Sequence, residues 1–360
     1  MTLDFEQLIP KVVEQAERLA THSWEYGTLS ETLLELFSPE VSVFGSQTFP
    51  YGSIPIVDPD SNRALIYART HIKLGESNLI GKSENCPGAS EADPASLGVM
   101  AVMVGRSDSP YMIASDKQCE TLLRSTPRME NGAISHKAYK AEAWSDYVYM
   151  VPPFLAYYGV AKQDTDLIMI AVQQCQLYAD ILQDHEKGLW RHIEGLTFQD
   201  RGFWSTGNGW VALGVTRVLA TLNGAGLRDH HGTQLTKMVK TILDGVLSYP
   251  KDHTGLLRNY IGDDTVAWFG EVAGTAALTA AIYRFAVLSP HEVDHTHIAW
   301  ADDSRNAVIR HVDSMTGKIS PVVNPRDTKD ENPKDASAEG QCFALMMFAA
   351  HRDYLAFLGN

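Results

Sequence analysis

The chain has 360 residues, is 44% hydrophobic and carries a formal net charge of −14, enough length for one large core or two modest ones. The acidic residues are scattered and no basic aromatic cluster counters them, which argues against nucleic acid or anionic membranes as partners. No window reaches the apolar length needed to span a bilayer.

The opening MTLDFEQLIP lacks the positive start, apolar centre and cleavage site of a secretory signal. Cys86, Cys119, Cys175 and Cys342 are far apart and fit no metal or CxxC spacing. Buried free thiols in a cytoplasmic protein are the expectation.

In chain order, apolar residues at Leu8, Val12, Val13 and Ala16 predict a helix over Phe5 to Ala20. A second runs from Trp24 to Phe37, with Ser30 able to cap. Ser38 to Asp60 contains four prolines and reads as a loop with room for short strands. Asn62 to Leu74 is weakly helical, and Gly75 to Asp93 is a polar connection. Asp93 then suits the cap of a helix over Ala95 to Gly105, with Pro94 in its first turn. Further helices are predicted over Asp116–Arg124, Trp144–Tyr158, Asp164–Gln183, Asn208–Leu222, Gly232–Leu247, Trp268–Val287, His297–Val312 and Ala336–Leu358.

Beta-branched alternation is nearly absent, so a sheet-based fold is not expected. About twelve helices joined by unequal loops suggest stacked helical hairpins. No flexible linker divides the chain, which predicts a single domain over 1–360. The strongly apolar runs at Ala95, Val148 and Ala273 fit inner helices of a closed ring better than an open solenoid.

One segment stands out. Asp146 leads directly into the apolar and aromatic run YVYMVPPFLAYY, and a carboxylate removed from water needs a partner or a proton. It either caps the helix that follows or does chemistry. Trp204 and Trp210 flank a Gly-Asn-Gly turn and serve either as core anchors or as flat platforms for a sugar ring. His136 and His192 are open to acid–base, ligand or hydrogen-bonding roles. The HEVDHTH tract at His291 to His297 is too loosely spaced for a metal family pattern. No serine-hydrolase elbow, phosphate loop or dinucleotide fingerprint is present, and no cofactor is expected. What remains is carboxylate and histidine chemistry in an aromatic-lined helical cavity.

Four segments in order, TPRMENGAISHK, AWSDYVYMVPPFLAYYG, GLWRHI and GFWSTGNGWVALGVTRVL, resemble the unsaturated rhamnogalacturonyl hydrolases (glycoside hydrolase family 105). The unsaturated glucuronyl hydrolases of family 88 are the more distant sister. The resemblance implies an all-α (α/α)6 barrel. It also implies removal of a C4=C5 unsaturated uronic acid from the end of lyase-generated oligosaccharides, by Asp-catalysed hydration of the vinyl ether. By the same resemblance Asp146 is the catalytic acid. Asp93, with Gly98 completing its Asp-x-x-x-x-Gly pattern, is a second active-site carboxylate, and His192 is a further catalytic residue. His136, Lys137, Trp144, Trp204, residue 206 and Trp210 face the substrate, a small molecule.

Two departures bear on the uronate end. Thr206 stands where the family commonly has a substrate-binding Arg, and Ala133, Ile134 and Ser135 replace aromatic residues before His136 and Lys137. A bidentate carboxylate partner is not replaced by a hydroxyl, leaving Lys137 or Arg191 to supply the charge. The alternative is the same barrel carrying out another proton transfer, elimination or cyclisation on a non-uronate molecule. A non-catalytic carbohydrate-binding protein is a third reading.

Overall fold

A computed structural model describes residues 5–81 and 89–359. The helices are α1 (Phe5–Leu19), α2 (Ser23–Phe37), α3 (Arg63–His71), α4 (Gly98–Gly105), α5 (Ser109–Glu120), α6 (Tyr147–Met150), α7 (Pro152–Lys162), α8 (Thr165–Leu182), α9 (Ser205–Gly224), α10 (Arg228–Leu247), α11 (Val272–Leu288), α12 (His295–Arg310) and α13 (Ala338–Gly359). Two short strands, β1 (Glu142–Trp144) and β2 (Ile193–Gly195), pair antiparallel. Among the described residues they form the only sheet.

The helices make two concentric rings. In the inner ring α2 packs on α4, then α7, α9, α11 and α13 follow in turn, and α13 returns to α2. Each outer helix leans on an inner neighbour: α1 on α13, α3 on α2, α5 on α4, α8 on α7, α10 on α9 and α12 on α11. This is the (α/α)6 barrel. Burial follows the sequence pattern: α1 buries one stripe, Leu8, Val12, Val13 and Ala16, whereas α11 is buried from Val272 to Ala286 without interruption. A helix apolar all round belongs between two layers, and the runs at Ala95 and Ala273 lie in α4's approach and in α11. Val148 lies in α6, which touches both α7 and α9.

Small residues set the spacing of the inner ring. A Cβ on Gly209 would lie 2.6 Å from Ala277 Cβ, and one on Gly98 would strike the Phe154 ring at 2.1 Å. The glycine of the Asp-x-x-x-x-Gly pattern is therefore what lets α4 seat against α7.

Several expectations are revised. Ser30 caps nothing; it lies inside α2 and its hydroxyl donates to the Tyr26 carbonyl. The proline-rich loop carries 3-10 turns at Pro39–Val41 and Pro50–Gly52 in place of strands. The helix expected over Trp144 to Tyr158 is three pieces: Trp144 ends β1, which pairs with β2, and Pro152 and Pro153 interrupt the hydrogen-bond ladder between α6 and α7. Helix α9 begins at Ser205, earlier than the Gly-Asn-Gly sequence suggests, and α10 begins at Arg228, four residues before the expected start at Gly232. Cys119, Cys175 and Cys342 are buried free thiols, while Cys86 lies outside the described residues.

Candidate active site

The β1–β2 ribbon gathers the reactive side chains. Its register pairs Trp144 with Ile193. The Ser145 N–H donates to the His192 carbonyl at 2.9 Å, and the His136 N–H to that of Glu142 at 2.9 Å. Residues 47 to 53 positions apart are thereby fixed side by side. Ser135, one of the departures from the family pattern, is the knot of the turn. Its hydroxyl receives the N–H groups of Lys137 and Glu142, each at 3.0 Å, and donates to the Lys140 carbonyl.

Asp146 occupies the N-cap position of α6, yet its side chain makes no capping hydrogen bond. It accepts from Ser145 Oγ at 3.0 Å and turns Oδ2 toward His192 Nε2, 3.6 Å away. The opposite ring nitrogen, Nδ1, is 2.9 Å from Asp200 Oδ2. Asp200 also accepts from Tyr260 Oη and pairs with Lys329 Nζ at 2.9 Å. Burial works against its charge, but the hydrogen bonds from His192 and Tyr260 hold its carboxyl well below the usual carboxylate range. An ionised acceptor at Nδ1 makes that nitrogen the proton donor, so in the neutral imidazole Nε2 faces Asp146 with its lone pair.

A second acid–histidine pair lies across Trp144. Asp93 Oδ1 is 3.3 Å from His136 Nε2. Asp93 is the first residue of a 3-10 turn and not its cap; Ser90 Oγ receives the Ala92 and Asp93 N–H groups instead. Burial raises the Asp93 carboxyl to about 6; the Lys137 charge opposes this and the Asp146 charge adds to it. His136 is pushed well below its ordinary value by burial and by Lys137 and His192, so it is neutral. The Trp144 ring stacks on His136 at 5.1 Å, meets His192 edge-on at 5.7 Å and carries Lys137 Nζ at 4.1 Å over its face. Beside His192 and the indole opens a cleft of about 250 Å³, whose lining includes Trp144, His192, Phe198, Asp200, Arg326, Asp327 and Lys329.

Not every expected residue joins this cluster. Trp204 does, packing on His192 at 4.6 Å with its N–H bound to Asn259 Oδ1. Thr206 and Trp210 have no exposed surface. The Thr206 hydroxyl donates to Glu271 Oε2 at 3.0 Å, and Trp210 is wedged against Tyr149 and Phe343. Both lie in the barrel wall, where Trp204 too is almost fully buried. Arg191 pairs with Asp184. In the HEVDHTH tract His297 is buried and bridges Asp294 and Asp244 at the start of α12. Among the described residues no three His, Cys, Asp or Glu side chains converge as a metal-ligand group.

Asp200, Tyr260, Lys329 and Glu339 went unrecognised in the sequence. Glu339 on α13 accepts from Trp24 Nε1 at 2.9 Å, and burial, then the charges of Glu25 and Asp146, push its carboxyl far up. A histidine eight positions before Asp200 was the one available hint; Tyr260, Lys329 and Glu339 carry no local motif.

The sequence model of Glycosyl Hydrolase Family 88 matches residues 79–314, about two thirds of the chain. The protein belongs to glycosyl hydrolase family 88. It is a hydrolase of the glycosidase class on an (α/α)6 barrel. No curated protein matches it by sequence. Among solved structures, a possible member of the GH105 family from Salmonella enterica serovar Paratyphi A superposes with a TM-score of 0.73 at 16% identity, covering 98% of this chain and 95% of that one. A second possible GH105 member, from Klebsiella pneumoniae, gives 0.72 at 16% identity over 98% and 93%. The unsaturated glucuronyl hydrolase of Bacillus sp. GL1 gives 0.66 at 13% identity over 97% of both chains. At these identities the likeness is one of fold. Among the described residues of this family 88 member, no helix is long and apolar enough to cross a membrane.

Proposed function

We propose that the enzyme removes a C4=C5 unsaturated uronic acid from the end of lyase-generated oligosaccharides, by hydrating the vinyl ether. The observation that carries this reading is the Asp146 side chain. It declines the helix N-terminus beside it and turns toward His192, a residue of the cleft wall whose far nitrogen is anchored on Asp200. Family membership and the likeness in fold to an unsaturated glucuronyl hydrolase agree with it.

The chemistry needs one group that gives a proton and then takes one back. Protonated Asp146 delivers its proton to C4, the alkene π electrons form the C4–H bond, and the ring oxygen shares the cation left at C5. Water adds at C5 and its surplus proton passes to the Asp146 carboxylate, restoring the acid. The hemiketal then opens: the C5–O bond breaks to a C5 ketone, and the freed ring oxygen becomes a hydroxyl on C1. That hemiacetal expels the aglycone as an alcohol. His192 holds Asp146 in position and presents a lone pair to it. Asp93 and neutral His136 form a second acid–histidine pair against the sugar, and Lys137, Trp144 and Trp204 flank it. Thr206 and Trp210, lacking exposed surface, act through the wall. Residues 1–360 are read as one catalytic domain.

The alternative, another proton transfer on a non-uronate molecule, draws on the missing cation at position 206. One assay separates the two. Unsaturated uronides absorb in the near ultraviolet and hydration abolishes that absorbance. Wild-type enzyme is expected to bleach unsaturated disaccharides and Asp146→Asn to leave them unchanged. Constant absorbance across a panel of such substrates with the wild type would discard the uronyl reading.

A further inference from the structure

An unsaturated uronate brings a carboxylate into a cleft already lined by Asp200 and Asp327, so a cation must meet it there. The candidates differ in what they already hold. Arg191 is paired with Asp184. Lys137 lies over Trp144 and acts on Asp93. Lys329 is tied to Asp200 and sits 3.6 Å over the Tyr260 ring. Arg326 lines the same cleft, and among the described residues no carboxylate pairs with its guanidinium.

The turn that presents Arg326 is built. Its N–H donates to Asn324 Oδ1 at 3.1 Å, and the exposed Asp327 closes the turn by donating its N–H to the Asn324 carbonyl at 3.0 Å. Val322 pairs with Lys334 across the base. The Val323 N–H binds Glu271 Oε1 at 3.3 Å, and the other oxygen of that carboxylate receives the Thr206 hydroxyl. The segment carrying Arg326 is thus fastened to the same buried acid that occupies Thr206. A guanidinium also offers the planar fork that a carboxylate accepts with both oxygens.

We propose that Arg326, with Lys329 beside it, binds the carboxylate of the unsaturated uronyl group and supplies the charge that Thr206 cannot. The assignment rests on the uronyl reading above. The test measures binding of an unsaturated glucuronyl disaccharide and of its methyl ester to full-length Asp146→Asn protein, by the fluorescence of Trp144 and Trp204. Adding Arg326→Gln is expected to weaken the free acid by about tenfold or more, the loss of one charge-assisted pair, and the ester by less than about twofold. Arg326→Lys should recover part of the loss. Equal weakening of both ligands, or none, overturns the role of Arg326 while leaving the uronyl reading intact. Arg326-dependent binding of the acid by a wild type that cannot bleach the double bond overturns the reaction and keeps the carboxylate site. Binding of neither ligand overturns both.

Discussion

Asp146 Oδ2 and His192 Nε2 stand 3.6 Å apart, beyond a hydrogen bond but within a strong electrostatic contact. The gap leaves the carboxyl oriented toward the ring without a hydrogen bond to it.

The first prediction concerns what Asp146 does for the fold. A working N-cap contributes about 1 kcal/mol, and this side chain makes no capping bond. Asp146→Ala is therefore expected to abolish turnover, by about 10³-fold or more, while urea unfolding changes by less than about 0.5 kcal/mol. A loss of a full cap's worth of stability would return Asp146 to a structural role.

Asp200 is expected to act through His192. Asp200→Asn should lower kcat/KM by about 100-fold, the range of lost orienting partners, with kcat taking most of the fall and the pH–rate profile moving. Because its native carboxyl is held below the usual range, Asp200 adds stability that is present above the ordinary carboxylate pKa and lost as pH falls through the depressed one. The stability gap between wild type and Asp200→Asn should therefore be full at neutral pH and close in strong acid, in unfolding curves run as a pH series.

For Asp93 the sign is opposite. Its native carboxyl sits near 6, above the unbound value of 3.8, so between these limits the folded protein holds a proton that the unfolded chain has released. Stability then falls as pH rises through that window. Asp93→Asn escapes the loss and is expected to be more stable than wild type at pH 7, by on the order of 3 kcal/mol, with the advantage vanishing below about pH 4. A difference that does not vary with pH would mean that Asp93 is not a raised acid.

Gly214 supports the site from beneath. A Cβ there would lie 2.2 Å from the Val148 carbonyl oxygen on α6, with backbone on both sides of the contact. Gly214→Ala is expected to cost about 1–3 kcal/mol and to reduce kcat by displacing the turn that carries Asp146. Crystallography of the variant should find α6 shifted away from α9.

Much of this protein could be read from its residues taken a few at a time. Periodic apolar stripes marked α1 and α8, continuous apolar runs marked inner helices such as α11, short motifs in order marked His136, Asp146 and His192, and an Asp-x-x-x-x-Gly pattern marked Asp93. Those signals are local, because a helix face or a motif needs only neighbours in sequence. The stretch from Trp204 to Trp210 shows where local reading stops. Gly207, Asn208 and Gly209 are poor helix residues and look like a turn. They are helical because α11 presses so close that Gly209 has no room for a Cβ, and because Asn208 spends its amide on the Trp190 backbone. Burial of Thr206 and Trp210 follows from the same contact. The anchoring of His192 on Asp200, Tyr260 and Lys329 is likewise a product of chain closure, since residues up to 137 positions apart meet at one imidazole and its carboxylate partner. Sequence alone determined the barrel; only the tertiary structure decided which groups gather around Asp146 and His192, because ring closure, not local pattern, brings them together.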